Sequence, residues 1–215
     1  MDCDSRPFWT QAIPDMNAEV VRQGIVELMA RYETEPVHVL HVRDLCLELF
    51  DGLSSWHGLS PDDRLVLEAA ASLHDIGWSA CASDGKGHHK ESARLIREHR
   101  WTGVTPDDVE LIAQVARYHR KSTPSPEHKE FAALSADNKR RVCQLAACLR
   151  VGDALDRRHC QCVKRVVVRL NSELLEILAE ASCQIEDELE AAEKKGDLLE
   201  ECFPGAVIYR RVAIP

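Results

Sequence analysis

Two apolar runs in this chain end in charged groups. Leu65-Val66-Leu67-Glu68-Ala69-Ala70-Ala71-Ser72-Leu73 leads into His74-Asp75-Ile76-Gly77, and Val142-Cys143-Gln144-Leu145-Ala146-Ala147-Cys148-Leu149-Arg150-Val151-Gly152 leads into Asp153-Ala154-Leu155-Asp156. Burying a carboxylate at the end of a core helix is unfavourable unless something positive meets it, and a metal ion is the strongest such partner. His74-Asp75 offers a nitrogen and an oxygen toward one point. The plain alternative is a helix C-terminus where the dipole favours histidine; the pairing of imidazole with carboxylate favours the metal. His119 ends another apolar stretch among Arg117, Arg120 and Lys121, the cationic surroundings that a phosphate needs. Mixed imidazole and carboxylate donors suit Mn, Fe, Co, Ni, Zn or Mg better than calcium, without choosing among them. The chemistry expected is that of one or two divalent ions acting on a phosphate.

The elements that must hold these groups are mostly helical. Asn17 can cap a helix over residues 18–32, and a second spans about 36–53. Ser60-Pro61-Asp62-Asp63 and Thr105-Pro106-Asp107-Asp108 are the same start signal used twice: a hydroxyl N-cap, proline at the first position, then acids at the positive end of the dipole. The first helix reaches His74-Asp75 and the second reaches His119. Ser83-Asp84-Gly85-Lys86-Gly87 reads as a loop, residues 88–99 as a further helix, and Asp137 or Ser135 as the cap of a long helix through Asp153. After residue 160 the pattern changes. Lys164–Leu170 is β-branched and strand-like, Asn171-Ser172 is turn-like, residues 173–180 fit either state, residues 185–195 look helical, and residues 206–212 look like a closing strand. The expected class is mostly α: a helical bundle over residues 1–160 with a small α+β appendage over residues 161–215.

With 215 residues, 45% hydrophobic and 29% charged, the composition is that of an ordinary globular protein. A formal charge of −9 disfavours broad contact with nucleic acid while leaving room for a local phosphate pocket. Nine cysteines are an odd number with no CxxC pair, so they read as packing residues, and the Cys160-Gln161-Cys162 pair is given no role. Met1-Asp2-Cys3-Asp4 does not open a signal peptide, and no run reaches the ~18 apolar residues of a membrane span, so a cytoplasmic protein is expected.

The order His41, His74-Asp75, Asp153 resembles the H…HD…D signature of the HD superfamily of metal-dependent phosphohydrolases over about residues 36–158. By that resemblance these four side chains bind one divalent ion, with a second on His89 and His119 and Asp75 bridging the two. His41 carries little weight without it. A closer likeness lies in Leu49-Phe50-Asp51, His57-Gly58-Leu59, Leu73-His74-Asp75-Ile76-Gly77, His88-His89-Lys90, Arg117-Tyr118-His119-Arg120-Lys121 and Leu149-Arg150-Val151-Gly152-Asp153-Ala154-Leu155-Asp156-Arg157. This series is similar to the C-terminal half of the exopolyphosphatase and guanosine pentaphosphate phosphatase family, including its α+β tail. The actin-like ATPase lobes that carry catalysis in that family have no counterpart in these residues.

The expected function is a phosphohydrolase in which a metal-activated water attacks a phosphate ester or nucleotide phosphate, with Asp75 central to catalysis. Lys90, Arg120, Lys121 and Arg157 are the candidate phosphate contacts. His38, His57, His99, His128 and His159 read as structural or surface residues, and Trp9, Trp56, Trp78 and Trp101 as packing. The implied partner is a small phosphorylated molecule, nucleotide or polyphosphate-like, and a homodimer is compatible with the resemblance. The alternative is a non-catalytic module that binds a polyphosphate or nucleotide and dimerises.

Overall fold

The computed structural model describes residues 16–82, 84–171 and 173–214. Cys3, Trp9, Ser83 and Ser172, which figure in the sequence reading, lie outside them. Helix α1 (Ala18–Tyr32) starts on Asn17, whose side chain accepts from the Glu19 and Val20 amides. Helix α2 (Pro36–Gly52) follows directly, then the short α3 (Ser54–His57). Helix α4 (Pro61–Leu73) opens on a full capping box between Ser60 and Asp63, and every residue from Leu65 to Leu73 is buried. It packs against α1, α2, α6 (Pro106–Arg117) and α8 (Ala136–Ala154), which explains an apolar run with no polar face. A 3-10 turn, Ile76–Ala80, and helix α5 (His88–Glu98) lie between α4 and α6, and the short α7 (Lys129–Ala132) precedes α8. Ser135, not Asp137, caps α8.

Helices α2 and α8 approach closely where Gly152 faces Cys46. A Cβ at Gly152 would stand 2.4 Å from the Cys46 Sγ, so a larger residue there would force apart the two helices that end the site.

The C-terminal part is a three-stranded sheet. Strands β1 (Val163–Leu170) and β2 (Leu174–Ala181) form an antiparallel hairpin, which makes residues 174–180 of the ambiguous 173–180 stretch strand. Helices α9 (Glu186–Lys195) and α10 (Asp197–Cys202) then cross over to β3 (Ala206–Ala213), parallel to β2. The Glu48 carboxylate accepts from the Val166 amide, and α9 and α10 lie against α8. Buried apolar residues from Val21 to Tyr209 form one cluster, so the sheet is joined to the helices by a shared core. The fold is therefore mostly α with a small C-terminal α+β appendage.

Cys162 and Cys183 form a disulfide, against the reading of the cysteines as packing residues alone. They flank the Val163↔Ala181 pairing, so strand register brings together two residues 21 apart in sequence. Cys46 and Cys148 are free and buried, as read, and Cys160 is free and exposed. No helix among the described residues is long and apolar enough to cross a membrane.

Candidate metal centre

Four histidines end or begin core helices, and each has its Nδ1 committed. His74 Nδ1 donates to the Ala71 carbonyl at 2.7 Å and His119 Nδ1 to the Ala116 carbonyl at 2.8 Å, both at helix C-termini that offer free acceptors. His88 Nδ1 donates to the Gly85 carbonyl at 3.0 Å, and His38 Nδ1 to the Asp156 carboxylate at 2.8 Å. With Nδ1 so engaged, Nε2 is the ring nitrogen turned toward the site, the arrangement that outer partners impose on metal-binding imidazoles; those of His88 and His119 stand 3.3 Å apart, and Arg120 reaches the former at 3.3 Å. The Nε2 atoms of His38, His41 and His74 are buried without a hydrogen-bond partner, as is Asp75 Oδ1.

These atoms converge in two neighbouring groups, His38, His74 and Asp153 in one and Asp75, His88 and His119 in the other. Asp153 Oδ1 lies 3.7 Å from His38 Nε2 and 4.0 Å from His74 Nε2. Asp75 Oδ1 lies 3.2 Å from His88 Nε2 and 3.5 Å from His119 Nε2, while its Oδ2 is 3.6 Å from His74 Nε2. Ligands about 2.0–2.2 Å from a shared ion stand at such separations from one another. Orphaned buried donors and a mixed imidazole and carboxylate set fit divalent transition metals.

The electrostatics follow from burying these groups together. Burial alone would raise the Asp75 and Asp153 pKa values, but the neighbouring side chains outweigh it and hold both low: His74, His88 and His119 around Asp75, and Lys195, His38, His74 and His119 around Asp153. Burial lowers the His38 pKa, yet Asp153 and Asp156 reverse this and push it up to about 9. His119, deeply buried beside His74, is held well below the usual imidazole range.

Local structure sets these positions. The Ser92 hydroxyl donates to the His74 carbonyl at 2.6 Å and accepts from the Gly77 amide at 2.9 Å, clamping the corner after α4 onto α5. A Cβ on Gly77 would meet the His88 carbonyl oxygen at 2.2 Å, so this glycine lets the first turn of α5 bring His88 to Asp75. Trp78 stacks on the outer face of His88 at 4.5 Å, and His159 on that of His38 at 3.6 Å. Arg150, buried in α8, donates to the carbonyls of Tyr118, Lys121 and Lys195 and to the Asp197 carboxylate, tying the His119 turn to the appendage. Lys195 in turn places its ammonium on Asp153 Oδ2.

The structure brings together four of the six ligands read from the sequence: His74, Asp75, His119 and Asp153. At the other two positions the groups contain a neighbour instead, His38 and His88. His38 stands where His41 is expected, because three residues along a helix rotate a side chain by about 60° relative to the first. His38 shares the buried stripe of Val42, Leu45 and Leu49, while His41 faces the start of β1 near Val163 and burial lowers its pKa. His88 likewise stands where His89 is expected. His89 lies edge-on to His119 at 6.3 Å, and burial with the charges of His88 and Arg120 lowers its pKa to about 4. Four-spaced apolar residues after His38 could have revealed it; nothing in the pattern separated His88 from His89.

Both groups open onto a cavity of about 290 Å³ lined on its cationic side by Arg120, Arg157 and Lys195, and elsewhere by Glu33, Thr34 and Glu35. Of the phosphate candidates, Arg120 and Arg157 reach this cavity. Lys90 and Lys121 are exposed and outside its lining. Lys195, Glu33, Asp156 and His159 carried no local signal in the sequence. Burial raises the Glu33 pKa against the opposing hydrogen bond from the Glu35 amide.

Residues 20–193 match the family described as Ppx/GppA phosphatase, domain III. The chain belongs to this family. It is 27% identical over 128 residues to a guanosine-5'-triphosphate,3'-diphosphate pyrophosphatase of Photobacterium profundum, covering 59% of this chain and 24% of that protein. The same named enzyme of Vibrio parahaemolyticus is 27% identical over 134 residues, 61% of this chain and 26% of the relative. The matched part thus spans about a quarter of these relatives' length. Lys195 lies two positions beyond the family match.

Proposed function

We propose that this chain is an HD-type metal-dependent phosphohydrolase acting on a phosphate ester or nucleotide phosphate. His38, His74 and Asp153 would hold one divalent ion, and Asp75, His88 and His119 a second, with residues 1–160 as the catalytic unit. The observation that carries this reading is the convergence of four Nδ1-committed histidines and two carboxylates in two neighbouring groups, of which Asp75, His88, His119 and Asp153 line the cavity. Membership of a phosphatase family and the printed activity of the relatives support a phosphate substrate.

Ions bound there supply Lewis acidity toward a water molecule and toward the phosphoryl oxygens. The protein's own groups do the rest. Asp75 faces both ligand groups and keeps them in register, since its Oδ1 meets His88 and His119 and its Oδ2 meets His74. Asp156 fixes the His38 ring, and Arg120 and Arg157 draw an anionic phosphate to the cavity.

Elemental mass spectrometry of protein purified without added metal or chelator, on wild type beside Asp75→Ala, tests the reading together with a phosphatase screen. One or two ions per chain and turnover, both lost in the variant, are expected. Absence of metal after incubation with manganese, iron, zinc or magnesium would overturn the hydrolase in favour of a binding module.

A further inference from the structure

Two side chains of the cavity remain unused by the metal site, and they are chemically opposite. Lys195, at the end of α9, places its ammonium on Asp153 Oδ2 while Oδ1 of the same carboxylate faces His38 and His74. Its charge also acts on His119, so it stands beside both ligand groups. The buried Arg150, holding the Lys195 carbonyl at 3.1 Å, sets where this side chain starts. A phosphoryl group bound at the two ligand groups would therefore meet Lys195, with Arg120 and Arg157 also lining the cavity.

Glu33, in the turn between α1 and α2, lines the same cavity, near enough to His74 and Asp75 for their charges to act on it. Its Oε1 accepts from the Glu35 amide at 2.7 Å, and its Oε2 is buried without a hydrogen-bond partner. Glu33 belongs to neither ligand group. A buried acceptor left unpaired is costly, and an O–H or N–H of a bound molecule would satisfy it. A second phosphate brought there would instead face Glu33 and Glu35, where like charges repel.

Building on the phosphohydrolase reading, we propose that the substrate is a phosphate monoester whose organic half carries hydroxyl or amino donors, such as a sugar or nucleoside phosphate, and not a linear polyphosphate. Lys195 holds its phosphate end and Glu33 its donor end.

The test is calorimetric binding to manganese-loaded protein of three C–P-linked probes that cannot be hydrolysed: the phosphonate analogue of ribose 5-phosphate, benzylphosphonate, and methylene-bridged triphosphate. The wild type is expected to bind the ribose analogue about tenfold more tightly than benzylphosphonate, the worth of one good hydrogen bond to a charged group, and more tightly than the triphosphate. Glu33→Leu should remove that preference and leave benzylphosphonate unchanged. Lys195→Met should weaken all three probes about tenfold at unchanged manganese content, and Lys195→Arg should restore them. Tighter binding of the triphosphate, equal losses for the ribose analogue and benzylphosphonate in Glu33→Leu, unchanged affinities in Lys195→Met, or no binding of any probe would overturn the proposal. Manganese content is read on the same samples. A chain without metal that still shows the expected selectivity would overturn the hydrolase and keep the substrate class, whereas loaded protein with reversed selectivity would do the opposite.

Discussion

What sets a candidate ligand histidine apart here is what its other nitrogen touches. His38 and His41 share a helix and lie one turn apart, but only His38 has Nδ1 on a carboxylate and Nε2 toward Asp153. Metal content should therefore fall in His38→Ala and His88→Ala and persist in His41→Ala and His89→Ala, measured by elemental mass spectrometry; the reverse pattern would restore the ligand set suggested by the motif alone. Asp156 touches no proposed ion, yet it orients His38. Asp156→Asn is expected to lower metal affinity by roughly 10- to 100-fold, the range for such outer partners, in a competition titration with a chromogenic chelator.

At the scale of elements, the site depends on junctions more than on helices themselves. Helix α5 reaches Asp75 because Gly77 allows its first turn to pass. Gly77→Ala should cost about 1–3 kcal/mol, as overpacking does, and should release metal, since His88 must move with the displaced turn. A urea midpoint equal to wild type would show that the turn has room. Arg150 is a second junction. It gathers carbonyls from the His119 turn and from the end of α9 around one buried guanidinium. Arg150→Met leaves those acceptors in an apolar surround and is expected to destabilise by about 2–4 kcal/mol in urea unfolding. An unchanged midpoint would mean that water replaces the guanidinium.

Across the whole molecule, the appendage is fastened to the bundle and contributes Lys195 to the lining of the cavity. The sheet shares the core with the helices, and the disulfide closes the hairpin at the end from which α9 departs. Cross-linking residues 21 apart restricts the unfolded chain by roughly 3 kcal/mol in the loop-entropy account. Replacing Cys162 and Cys183 together by serine should lower the urea midpoint accordingly, and equal midpoints would show that packing alone holds the hairpin.

The helical class, the capped starts at Asn17, Ser60 and Thr105, and the carboxylates at the ends of α4 and α8 were legible in the sequence, because caps and apolar periodicity act over a few residues. So were His74, Asp75, His119 and Asp153, since each interrupts or ends a run that should otherwise stay apolar. The state of residues 173–180 was ambiguous, because a short apolar run becomes strand only when β1 and β3 pair with it. That His38 and His88, and not His41 and His89, fall in the two groups is a matter of helix rotation and of which acceptor meets Nδ1. Lys195, Glu33, Asp156 and the Cys162–Cys183 pair were decided by tertiary structure alone. Each gains its partner across a long stretch of chain, as Lys195 does at Asp153 over 42 positions, and no local spacing encodes a contact made only when the chain has folded.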